Sequence, residues 1–395
     1  MDIRVSQRAQ SIKPSPTLSV TARANELKAA GKDILSLAAG EPDFDTPDFI
    51  KKAAIKALKD GFTKYTAVEG TPGLKKAIVT KFERENGLSY EPGQILVSVG
   101  CKHSIYNLMQ ALLNPGDEVI IPAPFWVSYP DMVKLAGAEP VIIKTTINDG
   151  FKITKDQLRG AITKNTRLFI INSPSNPSGV NYSPEELQSL AEILLEHPEI
   201  VIASDDIYEH ILWEGTFQNI VNVCPELKNR TVVLNGVSKA YSMTGWRIGY
   251  AAGNKNLISA MGKIQSQSTS NPTSIAQVAA QAALEGDQSF VREQCQVFKD
   301  RHDFVLEKLN EMAGVTTIAS QGTFYTFPDM NGALSQIDGV DNDIALAEWF
   351  LDQTGCAMVP GSAFGAPGCM RISFATGMKV LEEAMSRMAK ALGTK

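Results

Sequence analysis

Residues 231–249 read Thr-Val-Val-Leu-Asn-Gly-Val-Ser-Lys-Ala-Tyr-Ser-Met-Thr-Gly-Trp-Arg-Ile-Gly. Val232, Val233 and Leu234 have the character of a short buried strand, and the Asn235-Gly236 pair is expected to break it. Past the break a single lysine, Lys239, stands among small and apolar residues, with Ser238 before it and Arg247 further on. Lysine is seldom buried without a reason, because stripping water from an ammonium is costly. Held neutral, its amine is a nucleophile for carbonyl carbon and forms a Schiff base. The plainer alternative is a solvated lysine on an exposed turn, so the surroundings decide.

Upstream, apolar strands alternate with helices. Residues 200–203 form a buried strand ending in Ser204-Asp205-Asp206-Ile207-Tyr208. Residues 167–171 form another, which leads into Asn172-Ser173-Pro174-Ser175-Asn176-Pro177-Ser178-Gly179. Further strands are expected at 141–144, at 118–121 before Pro122-Ala123-Pro124-Phe125-Trp126, and at 95–99, ending at Gly100. Behind Gly100, Ile105, Leu108, Met109, Leu112 and Leu113 repeat with helical spacing along one face. Such alternation predicts an α/β fold, a mostly parallel central sheet with helices on both faces. In such sheets ligand groups lie past the carboxyl ends of the strands, where Asp205 and Tyr208 fall. Strand, glycine, helix is also the geometry in which free N–H groups collect an anion, here from Cys101 and Lys102.

Nearer the start, Lys13-Pro14-Ser15-Pro16-Thr17 is rigid and extended, because proline fixes φ and restricts its neighbours. A helix is expected over 20–30, stopped by Gly31, then a short strand at 34–37 and a loop, Gly40-Glu41-Pro42-Asp43-Phe44-Asp45-Thr46-Pro47. An amphipathic helix covers 49–58, and another begins after Gly70. Towards the other end, the alternation fades into a long helix over 289–312, strands at 324–328 and 369–374, and a helix at 342–353. The expected division is a large domain over 49–288 and a smaller α+β domain from 1–48 and 289–395.

Composition narrows the function classes. With 395 residues, 44% hydrophobic and 21% charged, the chain is an ordinary globular protein. A net charge of −5 argues against nucleic acid as a partner. No window of uninterrupted apolar residues is long enough to span a bilayer, and the charged start lacks a signal-like apolar core. The five cysteines are scattered without a C-x-x-C pair, which predicts reduced thiols in a cytoplasmic protein. With only four histidines, and neither H-x-H nor H-E-x-x-H, no metal site is expected.

Ser238-Lys239-Ala240-Tyr241-Ser242-Met243-Thr244-Gly245-Trp246-Arg247-Ile248-Gly249 resembles the cofactor-lysine segment of class I pyridoxal-phosphate aminotransferases. The resemblance extends over most of the chain and implies the type I fold of such enzymes. It makes Lys239 the residue that binds pyridoxal 5′-phosphate covalently and later carries the α-proton. Ser238 and Arg247 would hold the cofactor phosphate, with the helix start at Gly100, Cys101 and Lys102. Trp126, otherwise a core residue, would lie flat on the pyridine ring. Asp205, otherwise a helix cap, would pair with the ring nitrogen, and Tyr208 and Asn176 with the 3′-oxygen. Arg371, mid-strand among apolar neighbours and on composition alone an edge residue facing water, would anchor the substrate α-carboxylate beside Gly40 and Asn176. Tyr65, exposed and otherwise mere packing, would reach the cofactor of a neighbouring subunit, which implies a homodimer with shared sites.

Within that family, Lys13-Pro14-Ser15 with Lys102-His103 is similar to the bacterial aspartate aminotransferase subgroup that includes prephenate-using members. There Lys102, Ser15 and Thr17 would receive a distal carboxylate, and Lys13 is associated with prephenate. The resemblance thus implies transfer between aspartate and 2-oxoglutarate by ping-pong turnover. Alternatives are a preference for prephenate, aromatic or alanine-type substrates, a lyase of the same fold, or a cofactor-binding regulator.

Overall fold

The computed structural model describes residues 3–12, 14 and 16–395; Lys13 and Ser15, two expected substrate contacts, lie outside the described residues. Among the described residues twelve strands form three sheets. In chain order they are β1 (Leu35–Ser36), β2 (Ile95–Ser98), β3 (Glu118–Pro122), β4 (Glu139–Ile143), β5 (Thr166–Asn172), β6 (Val201–Asp205), β7 (Thr231–Gly236), β8 (Gly249–Ala252), β9 (Tyr325–Thr326), β10 (Cys356–Ala357), β11 (Val359–Pro360) and β12 (Met370–Ser373). Seven of them make the central sheet, in the order β2-β8-β7-β6-β5-β3-β4. β8 runs antiparallel to both its neighbours; the other pairings are parallel.

Side chains alternate across a strand, and this sheet buries both faces. Phe169 and Ile171 of β5 enter one apolar cluster, with Ile202, Val233 and Tyr250. Leu168 and Ile170 enter another, with Val232, Leu234 and the helical Ile105, Leu108 and Met109. The near-continuous apolar runs of these strands follow from that two-sided burial. A separate core gathers Phe298, Val305 and Leu309 of the long helix Ser289–Glu311 with Phe324, Ile372 and Phe374 and with Leu381 and Met385 of the helix Met378–Leu392. It backs the smaller sheet β11-β12-β9.

Two local expectations are revised. β7 does not stop at Asn235-Gly236 but runs through both residues, which pair with Tyr250 and Gly249 of β8. Gly236 here serves close approach rather than a turn: a Cβ on it would lie 2.9 Å from the Ile248 carbonyl oxygen. The first long helix is Pro16–Ala29, starting four residues early, with Pro16 at its first position, where proline's missing N–H costs nothing.

Candidate active site

The parallel strands end together. Register places Asn172 of β5 beside Asp205 of β6, and Asp205 beside Leu234 of β7. A cavity of about 410 Å³ opens past these ends. Of the residues singled out from sequence, Thr17, Gly40, Cys101, Lys102, Trp126, Asn176, Asp205, Tyr208, Ser238, Lys239, Arg247 and Arg371 all line it. Residues up to 354 positions apart in the chain (17 and 371) are thereby brought to one place. Tyr65 is not among the lining residues and is 93% exposed.

The Lys239 ammonium donates to the Gly40 carbonyl at 2.6 Å and lies 5.8 Å from the Phe324 ring centroid. Burial lowers its pKa to about 8; Arg371 and Arg247 push the same way, and Glu41 opposes them. A fraction of this amine is therefore neutral near pH 7, as a nucleophile for a carbonyl requires.

Asp205 is 3% exposed, and burial raises its pKa to about 6. Three donors work against that rise: the Tyr129 hydroxyl at 2.5 Å on Oδ2, and the Ile207 N–H at 3.4 Å and the Cys101 thiol at 3.8 Å on Oδ1. Asn172 Nδ2 donates to the Asp205 backbone carbonyl, and Asn172 Oδ1 accepts from the Asn176 N–H, so the two turns are laced together. Tyr208 is buried and donates to Tyr325 Oη at 3.3 Å. Burial drives its pKa far up, so it remains a hydroxyl donor.

Arg371, in β12, is only 2% exposed. Its Nη1 donates to Asn176 Oδ1 at 3.0 Å and its Nη2 to the Ala38 carbonyl at 2.9 Å. The guanidinium carbon lies 4.4 Å from the Tyr325 ring centroid and 5.0 Å from that of Phe364. Among the described residues no carboxylate pairs with it, and its Nε has no hydrogen-bond partner. A buried cation left this way calls for an anion from outside the chain.

Elsewhere in the cavity wall, the helix Cys101–Leu112 starts directly after Gly100, whose φ is +85°. A Cβ on Gly100 would lie 2.3 Å from Arg247 Nη2, and one on Gly249 would lie 2.1 Å from the Cys101 nitrogen. Two bare glycines thus let the guanidinium and the helix start close on the same point. Arg247 itself has φ +56°, and its Nη1 donates to the Thr244 carbonyl at 2.7 Å. The first N–H groups of a helix lack intrahelical partners, so with Arg247 and the Ser238 hydroxyl they form a donor set suited to a phosphate.

Of the lining residues that sequence reasoning did not single out, three are polar groups that shape the site: Tyr129, Tyr325 and Asn172 in its role as a lace. Tyr129 follows Trp126 at the start of the helix Tyr129–Leu135, its N–H donating to the Trp126 carbonyl and its ring edge-on to the indole at 5.3 Å. Nothing in the sequence marks it apart from that spacing. Lys102 sits against the same indole system, with Nζ 5.1 Å from the ring centroid.

The model of the family described as aminotransferase class I and II matches residues 32–388, and the chain belongs to that family; it is an aminotransferase. It is 58% identical over 396 residues to the aspartate/prephenate aminotransferase of Nitrosomonas europaea, covering 99% of this chain and 100% of that protein. Among solved structures, it matches an aspartate aminotransferase from Rhizobium meliloti with a TM-score of 0.96 and 46% identity, covering 100% of both chains. It also matches the aspartate aminotransferase from Thermus thermophilus with maleate, at a TM-score of 0.94 and 42% identity over 99% of this chain and 100% of that one.

Proposed function

We propose that the protein transfers the amino group of L-aspartate to 2-oxoglutarate, with pyridoxal 5′-phosphate held in this cavity. The observation that carries the reading is Arg371, a buried cation without a carboxylate partner, sharing a cavity with a lysine of lowered pKa. The donor set tests well against the cofactor. Arg247, Ser238 and the N–H groups of Cys101 and Lys102 would take the phosphate, and Trp126 would cover the ring. Asp205 would hold the ring nitrogen's proton, and Tyr208 with Asn176 the 3′-oxygen. When bound, the cofactor supplies an aldehyde for the amine and a ring that accepts the electron pair left at Cα.

The chain's own residues do the rest. The Arg371 fork grips the α-carboxylate with two parallel hydrogen bonds and fixes which bond at Cα faces the lysine. Lys239, its amine freed, takes the proton from Cα and returns it one position away as general base and then acid. Lys102 and Thr17, at the arm side of the cavity, would meet the distal carboxylate; the relatives' names and the maleate title support a dicarboxylate there. A second reading, prephenate use, is supported by the Nitrosomonas relative's name and by an adjoining cavity of about 500 Å³ beside His103, which shares Lys102, Val127, Ser128 and Arg247 with the first.

We read the active form as a homodimer in the cytoplasm. Ile55, Leu58, Phe62 and Tyr65 expose apolar surface within one short stretch, which suits a partner subunit, and all five cysteines are free thiols. No helix is long and apolar enough to cross a membrane among the described residues. The test is absorbance of the protein loaded with pyridoxal phosphate during titration with amino acids. Aspartate is expected to change the spectrum fastest, and Lys239→Ala is expected to fold but not turn over. Normal turnover by that variant, or no advantage of aspartate over alanine and phenylalanine, would overturn the assignment of lysine or substrate respectively.

A further inference from the structure

We propose that Tyr129 is a positioning residue for the reaction, its hydroxyl keeping the Asp205 carboxylate ionised and fixed in the cavity wall. The inference rests on the reading of Asp205 as the partner of the cofactor ring nitrogen. Of the three donors on that carboxylate, the phenol is by far the closest, at 2.5 Å against 3.4 and 3.8 Å for the Ile207 N–H and the Cys101 thiol. Among the described residues it alone donates a hydrogen bond to Oδ2, so it fixes the rotation of the carboxylate as well as its charge. The titratable groups facing Asp205 are Tyr129, Cys101, Lys239, Asp206 and Tyr208. Only Lys239 among them carries positive charge, and covalent use of that amine changes its charge during the reaction. The phenol is the constant donor: burial and the carboxylate beside it push its pKa well up, so it keeps its proton.

Tyr129 also stands edge-on to Trp126 at an interplanar angle of 84°. One side chain therefore sets two surfaces that a bound pyridine ring would meet, its nitrogen partner and its stacking plane. Tyr129→Phe keeps the ring against Trp126 and deletes only the hydroxyl, so it separates charge control from packing.

The experiment is a carbon-13 titration of apoprotein labelled in its aspartate carboxyls, with the Asp205 signal assigned by its loss in Asp205→Asn. Removing a hydrogen bond to the charged form is expected to raise the Asp205 midpoint by about 1 pH unit in Tyr129→Phe; an unchanged midpoint overturns the proposal. In parallel, pyridoxal phosphate binding is expected to weaken about fivefold near about pH 6 and to match wild type by about pH 8.5, because only the ionised fraction of Asp205 differs. Tyr129→Phe in an Asp205→Asn background is expected to change nothing further. An equal loss at both pH values, or an equal loss without Asp205, would show that the hydroxyl acts on the fold and overturn the proposal. A wild-type protein that took up no cofactor would sink the reading of Asp205, and the carbon-13 midpoint would still decide the role of Tyr129.

Discussion

Arg371 shows how much one residue's surroundings decide. Arginine cannot shed its charge, and here burial pulls its pKa down without neutralising it. Its fork reaches Asn176 and Ala38 but, among the described residues, meets no acid, which is what the proposed role as carboxylate anchor requires. Arg371→Lys keeps the charge and removes the fork, and the loss of a charge-assisted pair is worth about 1.5–3 kcal/mol. That predicts a fall in kcat/KM for aspartate of about 10- to 150-fold, carried mainly by KM, measurable by steady-state kinetics. A change below threefold would remove the arginine from that task. Lys239 and Arg371 were legible only through the resemblance of their segments to a known family, since a lone charge among apolar residues reads on its own as a solvated turn or an edge position. Tyr129 was not, since a tyrosine suits any core and its acceptor lies 76 positions away.

Among elements, the segment 38–46 joins the parts of the site. Ala38 and Gly40 give carbonyls to Arg371 and Lys239; the Glu41 carboxylate accepts from Thr244 Oγ1; Thr46 Oγ1 donates to the Ser242 carbonyl and accepts from Trp246 Nε1. Its far anchor is Asp43, gripped by Arg301 of the long helix through two bonds of 2.7 and 2.9 Å, with Phe44 and Phe298 stacked about the guanidinium. The strap therefore ties the second core to the loop that carries the lysine. Arg301→Gln breaks a bidentate, largely buried pair and is expected to cost about 2 kcal/mol of stability, with KM rising as Gly40 loosens. Thermal unfolding with kinetics on the same sample checks both; an unchanged Tm would dismiss the anchor. Read as sequence, this segment was only a glycine- and proline-rich loop, because its partners come from 239, 301 and 371. The strands β3, β5 and β6 were readable, since burial on both faces leaves unbroken apolar runs. β8 was not, its four residues being three small ones around a single tyrosine, without an apolar run, and its antiparallel pairing also carries β7 past Asn235-Gly236.

At the scale of the molecule, a buried ionic knot beside the central sheet lies just behind the cavity wall. The Lys81 ammonium, wholly buried, pairs with Glu209 and donates to Asn86 Oδ1 at 2.7 Å, while Asn86 and Asn235 each donate to the same glutamate at 2.7 Å. The nearby charges hold Glu209 below the usual carboxylate range despite its burial. Glu209 follows Tyr208 directly and Asn235 lies on β7, so the knot fastens the turn after β6 to the strand leading to Lys239. Lys81→Met strands a buried carboxylate and is expected to destabilise the fold by about 3–5 kcal/mol, whereas Lys81→Met with Glu209→Gln recovers much of that loss. Denaturant midpoints of wild type, both single variants and the double variant test the pair, and additive effects would refute it. The overall α/β plan was legible from alternation alone, but which charges would meet inside it depended on packing between distant strands.

The two glycines behind the Arg247 guanidinium have a practical corollary. Anyone diversifying this catalyst towards bulkier acids has room in the groove by His103, at positions such as Tyr106, Asp131, Met132 and Leu135 and away from Lys102 and Arg247. Positions 100 and 249 tolerate no library, because even one methyl group there would collide with the Arg247 guanidinium or the start of the helix at Cys101.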